Sequence, residues 1–264
     1  MYPVPPIPER TPADDSALDM LSHHFSDLAD RVQESIASGP MVGAPGSSWG
    51  VDFALESLDE LALLQIGMKG ALGLRQSIRG EARALQFLYR DAGPTYVGPA
   101  PFALMRGIWE KSTMLVWLLD GELPSIERVG RIRGWLNEGL RHMAQVDRHG
   151  DFSQWRGLLD DCPELLIRPP KWVHLASNFD ALAGESIYRE LSALAHGHSW
   201  YLSTAFTTAE DEGGQTVRWS AFPISLHHQY AMRVTPAALA AVDVVSAYFT
   251  GTTHGTPNTD SVAD

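Results

Sequence analysis

Apolar residues recur at spacings of three and four along most of this chain, and clear alternation is confined to one short stretch. Leu18, Leu21, Phe25, Leu28, Val32 and Ile36 form a continuous stripe that predicts a first helix over about Ser16–Ser38. Five prolines fall within residues 1–13, so residues 1–15 are expected to be an extended lead. After a Gly- and Pro-rich loop, Gly39–Gly50, a second helix is expected from about Phe53 through Leu64. Gly67, Gly70 and Gly73 then stand at spacing three. Glycine inside a helix costs about 1 kcal/mol relative to Ala, so the tract marks either a break or a close helix–helix crossing. A third helix, Leu74–Tyr89, carries Leu74, Ile78, Ala82, Leu85 and Tyr89 as its apolar face. Beside that face Arg75, Arg79 and Arg83 form either a flank that pairs with the acidic first helix or a ridge that contacts phosphate.

Asp91–Pro101 reads as a linker, followed by helices over Phe102–Leu119 and from Ser125, a short one over Ser153–Leu159, and one over about Asn178–His196 that Gly197 can close. Thr235-Pro236 has the form of an N-cap with proline at the first helical position, which places a last helix from there to about Thr250. Val217, Trp219 and Ala221 alternate, which allows a small β-hairpin insert near 202–224. The expected fold is all-α: a multi-helix bundle, one domain over 16–250, with a loose tail at 251–264.

Among 264 residues there is one cysteine, Cys162, which excludes a disulfide framework and any multi-cysteine metal site. His196-Gly-His198 and His227-His228 lack a carboxylate at helical ligand spacing, so neither a metal nor a cofactor is expected. The amino terminus has no basic and apolar segments of a secretory signal, and the longest uncharged stretch, Leu191–Ala209, is too polar to cross a bilayer. A cytoplasmic protein without membrane contact is therefore expected. The net charge is −12, of which residues 1–60 account for −9. The repulsion this sets against polyanions falls mainly on the amino-terminal quarter. Gly46–Gly50 spells G-x-S-x-G, but a Pro/Gly run rather than a strand precedes it, which rules out a hydrolase nucleophile elbow. Eight tryptophans serve core packing or an aromatic-lined pocket.

Two helices carry a second, polar stripe at spacing 4-3-4. On the fourth it is Arg106, Glu110, Thr113 and Trp117; on the helix ending at His196 it is Glu185, Arg189, Ser192 and His196. A carboxylate, a guanidinium, a hydroxyl and an imidazole in one row make an acid–base and anion-holding set. The same row is equally explained by an Arg189–Glu185 surface pair and a histidine favourably placed at a helix end.

Tyr188-Arg189-Glu190-Leu-Ser192-Ala-Leu-Ala-His196-Gly197 resembles the R-x(4–6)-H signature of the HEPN superfamily, helical domains associated with nucleotides and RNA. Arg106-x3-Glu110 through Asp120 is similar to the helix that precedes this signature in bacterial relatives, and the likeness covers about 101–201. Glu190 stands where ribonucleases of the family usually carry Asn, Asp or His. The resemblance implies a homodimer that cleaves RNA without metal, with His196 as acid or base and Arg189 holding the scissile phosphate. Arg189 and His196 stand about 10.5 Å apart along a helix axis, so one phosphate reaches both only with help from a partner helix or from Arg106 and Glu110. Ser192 is expected in the same cleft and Trp117 in its wall. Three readings follow: a HEPN-like ribonuclease or toxin-type effector, a non-catalytic helical module binding a small ligand or protein partner, and a small-molecule enzyme with an aromatic pocket between helices.

Overall fold

The computed structural model describes residues 11–38, 43–44, 46–55, 61–91, 99–143, 153–160, 166–196, 207–210, 216–219 and 222–251. They form an all-α arrangement: α1 (Pro12–Ser38), α2 (Ser48–Leu55), α3 (Leu61–Arg90), α4 (Ala100–Leu119), α5 (Ser125–Met143), α6 (Ser153–Asp160), α7 (Trp172–Leu175), a 3-10 helix (Ala176–Leu182), α8 (Gly184–Ala195) and α9 (Ile224–Thr250). The expected hairpin is present as β1 (Thr207–Glu210) and β2 (Thr216–Trp219), antiparallel with Thr207 opposite Trp219. Cys162, Gly197, His198 and the tail beyond Gly251 lie outside the described residues.

Five elements differ from the sequence expectation. α1 begins ahead of Ser16, because Thr11 and Asp14 cap it reciprocally: Asp14 N–H donates to Thr11 Oγ1 (3.2 Å) and Thr11 N–H to Asp14 Oδ2 (3.0 Å), with Pro12 at the first helical position. Residues 12–15 are therefore helical, and the rest of the expected extended lead up to residue 10 lies outside the described residues. α2 starts at Ser48 rather than Phe53, and α3 runs unbroken through the glycine tract. The glycines serve a close crossing instead of a break: a Cβ on Gly67 would collide with the Ile132 side chain, and one on Gly70 would lie 2.7 Å from the Trp135 ring. The helix expected over Asn178–His196 is divided at Ala183, whose left-handed backbone (φ 55°) ends the 3-10 helix and begins α8. Finally, α9 starts at Ile224 and carries Pro236 inside it. An interior proline costs about 3 kcal/mol, and the helix continues because Ala231, Val234, Ala237 and Ala238 around it are all fully buried.

Packing groups the chain into two compact units. Unit 1 comprises residues 1–33, 76–113 and 172–239; unit 2 comprises 34–75, 114–171 and 240–264. In unit 1 the stripe of α1 (Leu18, Leu21, Phe25, Leu28) is buried together with Ile78, Ala82 and Leu85 of α3. An aromatic group joins them, in which His227 stacks on Phe102 (centroids 4.4 Å) and accepts or donates a 3.0 Å bond with Tyr89 Oη. Arg83 meets Asp30 and Ser26 of α1, so for this residue the flank pairs with the acidic first helix as expected.

In unit 2, Arg75 is buried instead and donates to the Ser35 carbonyl (3.4 Å). There α2 packs on α5, and the segment 166–168 passes directly over Gly134, with Ile167 N–H bonded to the Gly130 carbonyl (2.9 Å). Among the described residues, α9 is long enough, and one stretch of it apolar enough (mean hydropathy 1.2), to meet the criteria of a membrane span by length and composition alone. Half of that stretch is buried within the protein, as in a core helix.

Candidate functional site

α8 holds the polar stripe that the sequence singles out. Gly184 starts the helix beneath the Ala176 carbonyl, where no Cβ fits. Ile187, Leu191 and Leu194 are fully buried, which turns the opposite face outward. On that outer face Arg189 donates from Nε (2.9 Å) and Nη2 (2.7 Å) to Glu185 Oε1, and both side chains are more than half exposed. Ser192 is half-buried, and its carbonyl accepts the N–H of His196, the exposed C-cap residue.

His196 is not alone at the helix end. Its Nε2 lies 2.5 Å from Arg106 Nη1, and Arg106 donates through Nε to Glu110 Oε1 (2.9 Å). The Arg106 guanidinium also sits 5.7 Å above the Tyr188 ring. The structure therefore unites Arg106, Glu110 and His196 in unit 1, together with Tyr188, which the stripe pattern leaves out. Thr113 is buried and bonds the Glu110 carbonyl (2.9 Å). Glu190 accepts from Tyr230 Oη (2.7 Å) and Ser186 Oγ (2.8 Å), a packing role. Trp117 belongs to unit 2, where it is buried, with the Arg131 guanidinium 5.1 Å over its ring and Arg131 Nη1 bonded to its carbonyl (2.8 Å).

A different feature has the shape of a binding site. In unit 2 a cavity of about 530 Å³ is lined by the loop at Gly43 and Ala44, by α2, by the first half of α3 and by the end of α9. Local chemistry builds each wall. Ser47 caps α2 by accepting the Gly50 N–H (3.2 Å), which is the structural use of the G-x-S-x-G segment. Gly43 lies against the Trp49 ring, where any side chain would collide with it. Ala44 N–H donates to the Phe249 carbonyl (2.8 Å), tying the loop to the end of α9, and Gly251 (φ 72°) closes that helix.

The far face of α2 is anchored by Asp52, which is fully buried. It accepts from Arg128 Nε (3.1 Å) and Nη2 (2.8 Å), from Tyr248 Oη (2.8 Å) and from Ser125 Oγ. With α2 so fixed, Trp49 and Phe53 face the cavity opposite Met68 and Leu72, and the Trp49 ring stands 5.8 Å from that of Phe249. Gln65 and Lys69, one turn apart on α3, are the polar side chains of the lining. Lys69 is exposed and has no carboxylate partner among the described residues.

Of the cavity walls the sequence offered only Trp49, as one of eight tryptophans suited to core packing or an aromatic-lined pocket, and left Phe53, Met68, Lys69 and Phe249 unassigned. The only signal was a tryptophan set among glycines at a helix start. Compared with family models, with curated proteins and with solved structures, the chain shows no significant match.

Proposed function

We propose that the chain is a non-catalytic helical module that binds a small apolar ligand, with the aromatic cavity of unit 2 as its site. One observation carries this reading: a cavity of about 530 Å³ walled by Trp49, Phe53, Met68, Leu72 and Phe249. That volume and composition are those of small-molecule sites, which span roughly 300–1,000 Å³ and pair apolar walls with few polar groups. Lys69 is the one titratable side chain in the lining, so the wall offers no acid–base pair or activated nucleophile for a small-molecule enzyme. In unit 1, Arg189 is engaged by Glu185 and His196 by Arg106, which fits a structural polar face.

Titration of the protein with neutral N-phenyl-1-naphthylamine, followed by dye fluorescence, tests the reading. Micromolar binding that Trp49→Ala weakens at least tenfold supports it. No binding, or binding indifferent to Trp49→Ala and Phe53→Ser, overturns it.

A second reading has its own observation. The Arg106 guanidinium beside the exposed His196 imidazole joins a phosphate-holding and a proton-transferring group, as a HEPN-like, metal-independent ribonuclease or toxin-type effector requires. It entails RNA as substrate, a cytoplasmic setting and a homodimer that brings two Arg189–His196 helices together. RNA cleavage in the presence of EDTA, lost in a folded His196→Ala variant, is its signature. Intact RNA after prolonged incubation with the wild-type chain counts against it.

A further inference from the structure

We infer that the unit 2 cavity takes an amphiphilic monocarboxylate, its apolar body against the wall of Trp49, Phe53 and Phe249 and its carboxylate on the Lys69 ammonium. This deepens the ligand-binding reading above and rests on it. The division of the lining into an apolar wall and a single cationic edge sets the ligand's own division.

Trp49, Phe53, Met68, Leu72 and Phe249 offer an incoming molecule dispersion contacts and an exit from water, at about 25 cal/mol per Å² of apolar surface covered. None of them offers a hydrogen-bond partner except the Trp49 indole N–H, a donor. A ligand polar throughout would lose its hydration there without replacement. The cationic edge is supplied by α3. Lys69 and Gln65 stand four residues apart, on one side of the helix, so an ammonium and a carboxamide reach the same end of the cavity.

Charge complementarity fixes the head group. Lys111, another of the three lysines, is held by Glu81 at 2.7 Å, whereas Lys69 has no such partner among the described residues. The lining contains no carboxylate that would repel an anion, and Asp52 on α2 is turned to Arg128, Ser125 and Tyr248. One ammonium and one amide match a single negative charge. A phosphate dianion calls for the guanidinium forks or the row of backbone N–H donors that this wall lacks.

Isothermal titration of the full-length chain with octanoate and with octan-1-ol at pH 7.5 separates this inference from the reading it rests on. The wild type should bind octanoate at least tenfold more tightly than octan-1-ol. Lys69→Met, which keeps the aliphatic stem and removes the charge, should collapse that preference, and Lys69→Arg should restore it. Lys69 is exposed, and an unchanged circular dichroism spectrum checks that both variants fold. Equal binding of the two probes by the wild type, or a preference that survives Lys69→Met, overturns the monocarboxylate assignment while the apolar site stands. Binding of neither probe overturns the site and the assignment together.

Discussion

Arg106 Nη1 and His196 Nε2 stand 2.5 Å apart, which fastens the C-cap of α8 to the middle of α4. The same guanidinium bonds Glu110 and covers Tyr188, and the Arg106 and Glu110 side chains are each only 21% exposed. Arg189, by contrast, is 65% exposed and, among the described residues, holds only Glu185 of its own helix. Screening by water makes the second pair worth little, whereas charge-assisted bonds in a half-buried setting are worth more. Arg106→Ala should lower the unfolding free energy by about 1–2 kcal/mol and Arg189→Ala by less than about 0.5 kcal/mol. Urea titrations of both variants read the ranking directly. A reversed order would mean that Arg189 makes the tertiary contact.

Asp52 is the position on which unit 2 most depends. Its two oxygens receive Arg128, Ser125 and Tyr248, which draws α2, α5 and α9 to one point. Removing one partner of a buried ion pair leaves the other charge stranded, at a cost of about 3–5 kcal/mol. Asp52→Asn should show a loss of that size in denaturant unfolding. Because α2 carries Trp49 and Phe53, the variant should also bind N-phenyl-1-naphthylamine more weakly than the wild type. Dye binding at wild-type strength would show that α2 keeps its position without this anchor.

Local pairing in the polar stripes was legible in the sequence because it depends only on helical spacing. Glu185–Arg189 and Arg106–Glu110 stand at i,i+4 and are paired as that spacing allows. The helical class was equally legible, since Leu18 through Val32 and Ile78 through Tyr89 are buried where the three-and-four spacing puts them. What escaped depends on partners remote in sequence. Whether Gly67 and Gly70 break a helix or admit a neighbour is decided by Ile132 and Trp135, not by the glycines. Pro236 reads as a helix start locally, and only the burial of residues on both sides keeps it inside α9. The cavity is joined from Gly43, Lys69 and Phe249, three segments that no spacing rule connects. The capping pair Thr11–Asp14 was readable in principle but lay within a run of prolines that suggested an extended lead.

Ala183 has a positive φ of 55° with a side chain attached, at the junction between the 3-10 helix and α8. For an L-residue this conformation costs about 1–2 kcal/mol, because Cβ crowds the carbonyl oxygen, and glycine escapes that cost. Glycine gives part of the gain back by loosening the unfolded chain. Ala183 is exposed, so no packing is lost on truncation. Ala183→Gly should therefore stabilise the protein by roughly 0.5–1 kcal/mol, seen as a rise in Tm by scanning calorimetry. A fall in Tm would show that the junction gains more from the restricted unfolded state of alanine than it loses to strain.

His24 links acidity to stability in unit 1. Burial lowers its pKa from the ordinary 6.5, His228 acts in the same direction, and a backbone bond at Ala231 and the charge of Asp27 oppose them. Its Nε2 is bonded to Thr235 Oγ1 at 2.7 Å. With the folded value below the unfolded one, the unfolded chain takes up this proton first as pH falls. The stability gained from a neutral His24 is thus complete above pH 6.5 and is lost as pH drops through the folded value. Glu81, whose pKa burial raises from 4.5, acts with the opposite sign nearer the carboxylate range, so comparison at the upper end of the window isolates the histidine. Thermal unfolding between about pH 7.5 and 5.5 should show Tm falling for the wild type and falling less for His24→Gln, which keeps a polar atom near Thr235 without the titration. Parallel curves for the two proteins would assign the loss to another group and leave His24 as packing alone.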